Sequence, residues 1–212
     1  MQALINAGGK GTRMGACGIE KPMQAIGGRP VVKRVVDALM GSRSIDRVLV
    51  SVSDNTLETE RYLKSICVET IMTSGEDFVE DLHDSFRVLG GRFVLTCPSD
   101  LPFISTEEID RFVAAFDPKR MESLIAIVDK AAYERLDIKP SYTRDYYGSN
   151  WVVSGVSIMD RERTLRGEYL QESFYETDCR EFAVNVNTQE ELDQARRIVD
   201  APARAPGPAA GA

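Results

Sequence analysis

Apolar runs of strand length recur along the chain. They are Ala3-Leu4-Ile5-Asn6-Ala7, Arg47-Val48-Leu49-Val50-Ser51-Val52, Cys67 to Met72, Arg92-Phe93-Val94-Leu95-Thr96-Cys97, Leu124-Ile125-Ala126-Ile127-Val128, Trp151 to Met159, and Phe182-Ala183-Val184-Asn185-Val186. Between them the apolar spacing lengthens: Phe78, Leu82, Phe86 and Leu89 share one face of a helix. Ser105-x-x-Glu108 forms a capping box opening a helix towards Phe116, and Thr188-x-x-Glu191 opens a C-terminal one. Such alternation predicts an α/β fold: a single Rossmann-like domain with a mostly parallel central sheet and helices on both faces. Sheets of this kind take ligands at the carboxyl ends of their strands.

The domain is expected to span residues 1–200. Residues 201–212, APARAPGPAAGA, are too rich in Ala, Pro and Gly to pack a core and read as a disordered tail. No internal repeat is visible.

Composition narrows the function classes. The chain has 212 residues, 43% of them hydrophobic and 28% charged, ordinary for a globular domain with a proper core. No apolar run approaches the roughly 18 residues of a membrane span. The N-terminus enters a strand directly, which reads as no signal peptide and a cytoplasmic protein. Cys17, Cys67, Cys97 and Cys179 form no CxxC pair, so reduced, mostly packed thiols are expected. The one histidine, His83, excludes a His-rich metal site and an HExxH protease, and reads as a helix-surface or boundary residue. The net charge of −7 argues against a nucleic-acid partner. Yet Met1 to Val36 holds six cations (Lys10, Arg13, Lys21, Arg29, Lys33, Arg34) against one acid, Glu20. That local excess suits a small polyanion, with Lys33 and Arg34 read as a solvated helix face.

The cations lie in or beside a loop. Residues 8–24 read GGKGTRMGACGIEKPMQ, directly after the first strand. Small residues there let backbone N–H groups approach phosphate closely, and Lys10, Arg13 and Lys21 add charge. The loop is neither of two commoner phosphate binders. A Walker A loop ends in Gly-Lys-[Ser/Thr], whereas Gly11 is followed by Thr12. A dinucleotide loop has G-x-G-x-x-G, whereas Met14 occupies the third glycine position.

Further candidates lie at other strand ends. Asp100, in Pro98-Ser99-Asp100-Leu101-Pro102, is placed to hold Mg²⁺ against phosphate oxygens, or else to make a turn before Pro102. Asn185 or Asn187 offers a second oxygen ligand, although Asn187 equally turns the chain into the last helix. Ser74 and Gly75 follow the third strand and offer groups to a base or ribose. Glu80 and Asp81, one turn into the next helix, are carboxylates of the kind that accept guanine's paired N–H donors, or acids favoured by the helix dipole. Gly155 interrupts a strand, marking a bulge or a close approach, here with a substrate. Tyr142, Arg144, Tyr146 and Tyr147 either cover a large acceptor or form ordinary surface.

Together these residues resemble the nucleoside-triphosphate transferase (MobA-like) superfamily, whose signature is A-G-G-x-G-x-R-M followed by E-K-P. The similarity runs from Ala3 to about Val199. TSGEDFVEDL, the SD of PSDLPF, and SGVSIM with VNVNTQEEL narrow it to the archaeal branch that guanylylates adenosylcobinamide phosphate in cobalamin synthesis. The last of these segments also resembles the molybdenum cofactor guanylyltransferases. One departure is Asp77, where a glycine is expected, so no base contact is carried onto it. The resemblance implies Mg²⁺-dependent transfer of GMP from GTP to a phosphate, releasing pyrophosphate. It implies that Gly8, Gly9, Lys10 and Gly11 cradle the β- and γ-phosphates, that Ala7 and Thr12 also bind the nucleotide, and that Arg13 adds charge. Lys21 then stabilises the α-phosphoryl group, Asp100 with Asn185 or Asn187 holds Mg²⁺, and Gly155 lies near nucleotide or acceptor. Molybdenum cofactor guanylylation, cytidylyl transfer and a non-catalytic nucleotide-binding module are the alternatives. Exposed edge elements could pair two copies as a homodimer.

Overall fold

The computed structural model describes residues 1–15, 18–136, 143–146 and 149–200. Cys17, Tyr142, Tyr147 and the 201–212 tail lie outside the described residues, as do the side chains of Arg144 and Tyr146. In chain order the elements are β1 (Gln2–Asn6), β2 (Ala25–Ile26), β3 (Arg29–Pro30), α1 (Val31–Gly41), β4 (Arg47–Val52), α2 (Leu57–Ser65), β5 (Glu69–Met72), α3 (Phe78–Val88) and β6 (Phe93–Pro98). There follow α4 (Thr106–Ala114), β7 (Ser123–Asp129), α5 (Lys130–Arg135), β8 (Thr143–Tyr146), β9 (Ser149–Asp160), α6 (Arg161–Leu165), β10 (Glu172–Thr177), α7 (Arg180–Ala183) and α8 (Gln189–Asp200).

The main sheet has the order β10-β7-β9-β6-β1-β4-β5, with β8 paired to β9. β1 pairs in parallel with both β4 and β6, β4 with β5, and β10 with β7. β9 runs against β6, β7 and β8. The chain is thus a single α/β domain with a mostly parallel sheet, as the alternating pattern predicts.

Strand parity distributes the core between two faces. Ala3, Ile5, Val50, Val52, Leu95 and Cys97 pack with α1, α4, α7 and α8 into the larger cluster. Phe112, Tyr175 and Phe182 meet there with ring centroids 5.4–6.0 Å apart. Leu4, Leu49 and Val94, of opposite parity, pack on the other face under Leu82, Phe86 and Leu89. Burial pushes the Cys97 thiol pKa up, and the Asp100 charge adds to it, so this sulfur stays protonated and inert.

Two expectations need correction. Phe182–Val186 is not a strand. Cys179 precedes the short helix α7 as its N-cap, Val184 leaves the helix in extended conformation, and Val184 and Val186 are buried on either side of half-buried Asn185. A short apolar run looks the same whether it is a core strand or another buried segment. The Val186 N–H donates to the carbonyl of Asp100 at 2.9 Å, pinning this segment beside the end of β6. Arg34 is not a solvated surface residue either: its guanidinium donates to the Ile26 carbonyl at 2.7 Å and 3.2 Å, clamping the β2–β3 hairpin. Lys33 does lie on the solvated face, paired with Asp37 one turn on. A strand without an apolar run, β10, arises from the alternating sequence ESFYET.

Candidate active site

The ends of β1 and β6 lie side by side, and the Ser99 N–H donates to the Asn6 carbonyl at 3.1 Å. The glycine loop leaves β1 there and the Ser99-Asp100 turn leaves β6. Gly11, at φ 59°, starts a 3-10 turn over Thr12–Met14. Met14 is buried in the main core, so the residue that breaks the dinucleotide pattern anchors the loop by its tip. Gly8 faces backward: its carbonyl accepts from the Ser53 hydroxyl at 2.6 Å, at the end of β4.

Around this junction a cavity of about 280 Å³ is lined by Ala7, Gly9, Lys10, Gly11, Thr12, Arg13, Lys21, Asp100 and Asn187, among others. The Lys21 ammonium lies 2.5 Å from an Asp100 carboxylate oxygen and 2.7 Å from the Asn187 amide oxygen. Arg13 reaches the same Asn187 oxygen at 2.8 Å. Four side chains from three distant segments thus converge. Lys21 and Asp100 are mostly buried, at 18% and 14% side-chain exposure, so their charges act with little screening by solvent.

Glu20 explains why Lys21 points inward. Its carboxylate accepts from the Glu58 and Thr59 N–H groups at 2.7 Å each and from the Thr59 hydroxyl at 2.6 Å. A carboxylate on the N-terminal turn of α2 satisfies orphan donors and opposes the helix dipole. Pro22 and the 3-10 turn Lys21–Met23 then fix the direction of the next side chain. Glu20→Ala is expected to cost about 0.5–2 kcal/mol of stability, the range for a lost N-terminal cap, and to lower turnover by releasing Lys21. Urea unfolding and a rate measurement on the same preparation check both effects.

The loop after β5 abuts the glycine loop. Lys10 pairs with Glu76 at 2.6 Å, and a Cβ on Gly75 would lie 2.5 Å from the Ser53 hydroxyl. Asp81 accepts from the Ser74 hydroxyl at 2.8 Å and the Gly75 N–H at 3.1 Å, closing this loop on itself. Glu80 is exposed on the first turn of α3. Asp77 is the N-cap of α3, accepting from the Val79 and Glu80 N–H groups, which gives the unexpected aspartate a structural role. His83 sits half-buried on α3, at the boundary the sequence predicts.

Asn187 rather than Asn185 joins the Lys21 cluster. Asn185 lines an adjoining cavity of about 640 Å³ with Arg13, Asp100, Val153 and Gly155. The Thr188–Glu191 capping box forms as predicted, and Glu191 also accepts from the Asn187 N–H at 2.6 Å, fixing the backbone of Asn187. Gly155, at φ 89°, sits where the β7–β9 register shifts, and its closest neighbour is Pro98: a Cβ would lie 3.1 Å from the Pro98 ring. The glycine therefore lets β9 pass the proline that precedes Ser99-Asp100. Gly155→Ala is expected to cost about 1–3 kcal/mol of stability and, by moving Asp100, to lower turnover by roughly tenfold or more. Urea unfolding and pyrophosphate release measure the two. Sequence reasoning missed Glu20 and Ser53 as supports of the site. Glu20 was legible only as part of the E-K-P signature, and Ser53 only as the start of Ser53-x-x-Thr56.

Comparisons with known proteins show the family and the fold. The model of the MobA-like NTP transferase domain matches residues 3–143. Adenosylcobinamide-phosphate guanylyltransferase of Methanocaldococcus jannaschii is 30% identical over 209 residues, covering 94% of this chain and 97% of that protein. A molybdenum cofactor guanylyltransferase of Burkholderia vietnamiensis is 28% identical over 140 residues, 62% of this chain and 64% of its own. Among solved structures, the inositol-1-phosphate CTP transferase of T. maritima superposes with a TM-score of 0.68 at 13% identity, covering 94% and 96% of the two chains. The 4-diphosphocytidyl-2C-methyl-D-erythritol synthase of Anaerococcus prevotii gives 0.65 at 14% identity, covering 93% and 96%. With the glycine loop, Lys21 and Asp100 gathered at the ends of β1 and β6, the chain belongs to the family of MobA-like NTP transferase domains and is a nucleotidyltransferase.

Proposed function

We propose that the protein transfers GMP from GTP to adenosylcobinamide phosphate, giving adenosylcobinamide-GDP and pyrophosphate in cobalamin biosynthesis. The observation that carries this reading is 30% identity to a guanylyltransferase of that acceptor along nearly the whole of both chains. The cluster of Lys21, Arg13, Asp100 and Asn187 fits the chemistry. An oxygen of the acceptor's phosphate attacks the α-phosphorus of GTP, and the bond from that phosphorus to the β-bridging oxygen breaks. The electron pair leaves with pyrophosphate. A phosphate monoester is largely ionised near neutral pH, so no catalytic base is needed. The obstacle is bringing anion to anion. Catalysis is then alignment plus cationic stabilisation: the loop N–H groups and Lys10 on the leaving phosphates, Arg13 and Lys21 at the α-phosphoryl group.

Mg²⁺ fits the same place. The Asp100 carboxylate and the Asn187 amide, two hard oxygens, already converge on one cation, the Lys21 ammonium. Among the described residues no group of three or more His, Cys, Asp and Glu could hold a metal. Mg²⁺ takes one or two protein ligands and completes its shell with water and phosphate, so these two oxygens would suffice. When bound, the ion would neutralise phosphate charge. No helix among the described residues is long and apolar enough to cross a membrane.

The test offers purified protein GTP, CTP, ATP and UTP and follows protection against heat, then pyrophosphate release with adenosylcobinamide phosphate or molybdopterin. GTP should protect best, and release should need adenosylcobinamide phosphate and stop on chelation of Mg²⁺. Stronger protection by CTP overturns the base assignment. Release with molybdopterin alone transfers the acceptor assignment to the molybdenum cofactor. GTP binding with no release in any mixture leaves a non-catalytic module.

A further inference from the structure

Strands β7, β9 and β10 bury one face and open the other. Leu124, Ala126, Val128, Val152, Val156 and Ile158 point into the main core. Residues of opposite parity line two open cavities. The first, of about 640 Å³, starts at Arg13, Asp100 and Asn187 and passes Val153, Gly155 and Phe174. The second, of about 560 Å³, passes Ser157 and Met159 to reach α3 and the segment after α6. Both are lined by Ile125 and Glu172, so they adjoin and form one trough.

The trough changes character along its length. Its near end, at Arg13 beside Asp100 and Asn187, adjoins the phosphate cavity, which the same three residues line and to which Lys10 and Lys21 add positive charge. Its far end is walled by Phe78, Val79, Leu82, Met159 and Tyr169. Three of these are large apolar side chains left exposed, Phe78 at 65%, Val79 at 57% and Tyr169 at 99%. Exposed apolar surface gathered at one place marks a binding site, whereas single apolar residues on a surface are ordinary. Neither end alone identifies the occupant. Taken together they require a molecule with an anionic head and a broad, largely apolar body.

We propose that this trough holds the non-reacting body of the acceptor. The acceptor's phosphate lies at Arg13 and Asp100, and its bulk extends over Ile125 and Met159 to the Phe78–Tyr169 end. The inference rests on the transfer reading and adds a specificity device to it. Contacts remote from the reacting phosphate supply binding energy for the acceptor, so this surface chooses among phosphate monoesters by size and apolarity. The glycine loop, which meets only phosphates, has no means of doing so.

Phe78→Ala and Tyr169→Ala, made separately and together in the full chain, test it. Both side chains are exposed, so folding should survive, and unchanged heat protection by GTP verifies that the nucleotide half is intact. In the double variant the KM for adenosylcobinamide phosphate should rise about tenfold or more while kcat stays within about twofold, because only remote binding is lost. Phenyl phosphate, which has no body to fill the trough, should be a poor acceptor equally with wild type and variant. Equilibrium dialysis of adenosylcobinamide phosphate, followed by its visible absorbance, should show the same loss without turnover. Unchanged KM and unchanged dialysis overturn the proposal and leave guanylyl transfer standing. An unchanged KM together with conversion of a dimer to a monomer on sedimentation also overturns it, and assigns the surface to a second copy of this chain. Binding that the double variant weakens, with no transfer by wild type, overturns the transfer reading and leaves the trough standing.

Discussion

Lys21→Ala is expected to lower turnover by about a hundredfold to a thousandfold while GTP still protects the protein against heat, the magnitude known for removing one preorganised donor from a site of developing charge. The asymmetry follows from where the side chain sits. In the proposed reaction the β- and γ-phosphates meet the glycine loop and Lys10, which the substitution leaves alone. Lys21 instead lies 2.5 Å from Asp100 and 2.7 Å from Asn187, deep in the junction of β1 and β6. Charge there matters most when the phosphoryl group passes between two anions. A kcat near that of wild type in a pyrophosphate-release assay would show that Lys21 is no more than Asp100's structural partner. Lys21→Arg should recover only part of the rate. Its planar fork cannot place one compact charge between the Asp100 and Asn187 oxygens.

Asp100→Asn is expected to be at least as damaging, with turnover falling by roughly a thousandfold. That corresponds to the several kcal/mol a bound metal contributes to transition-state charge. The amide keeps the shape of the carboxylate and the backbone bond from Val186 to the Asp100 carbonyl is untouched, so the fold should persist, with some stability lost because the mostly buried Lys21 ammonium loses its countercharge. The distinguishing measurement is Mn²⁺ binding in the presence of GTP. It should weaken sharply in Asp100→Asn and remain in Lys21→Ala. Equal Mn²⁺ binding by wild type and Asp100→Asn would remove Asp100 from the metal site.

Much of the site was legible because its chemistry is local. Lys10, Arg13 and Lys21 lie within twelve residues of one another, directly after an apolar run that the glycines bound at strand length. Asp100 was legible as a carboxylate at a strand end, though a turn explained it equally well. Asn187 could not be separated from Asn185, because the choice is made by contacts to Lys21 and Arg13, which lie 166 and 174 positions away. The parts that escaped are those whose partners are backbone. Glu20 binds N–H groups of α2, and the Ser53 hydroxyl binds the Gly8 carbonyl. Every residue carries such groups, so no side-chain pattern advertises them. The strand Phe182–Val186 failed for a related reason, since burial alone left its geometry open. β10 escaped because an edge strand needs only alternate residues against the core.

Lys21 near one end of the sequence meets Asn187 near the other, and α8 locks over the β2–β3 hairpin through Arg196, which donates to the Ala25 carbonyl at 3.1 Å. During synthesis on a ribosome, β1, β4, β5 and β6 emerge early and can pair among themselves, yet Asn187 is still untranslated. A nascent chain holding the complete glycine loop therefore has no finished catalytic centre. The contact between Arg13 and Asn187, 174 positions apart, completes the cluster only when this long loop closes, so recovered activity is expected to report folding of the whole domain rather than of its glycine-loop half.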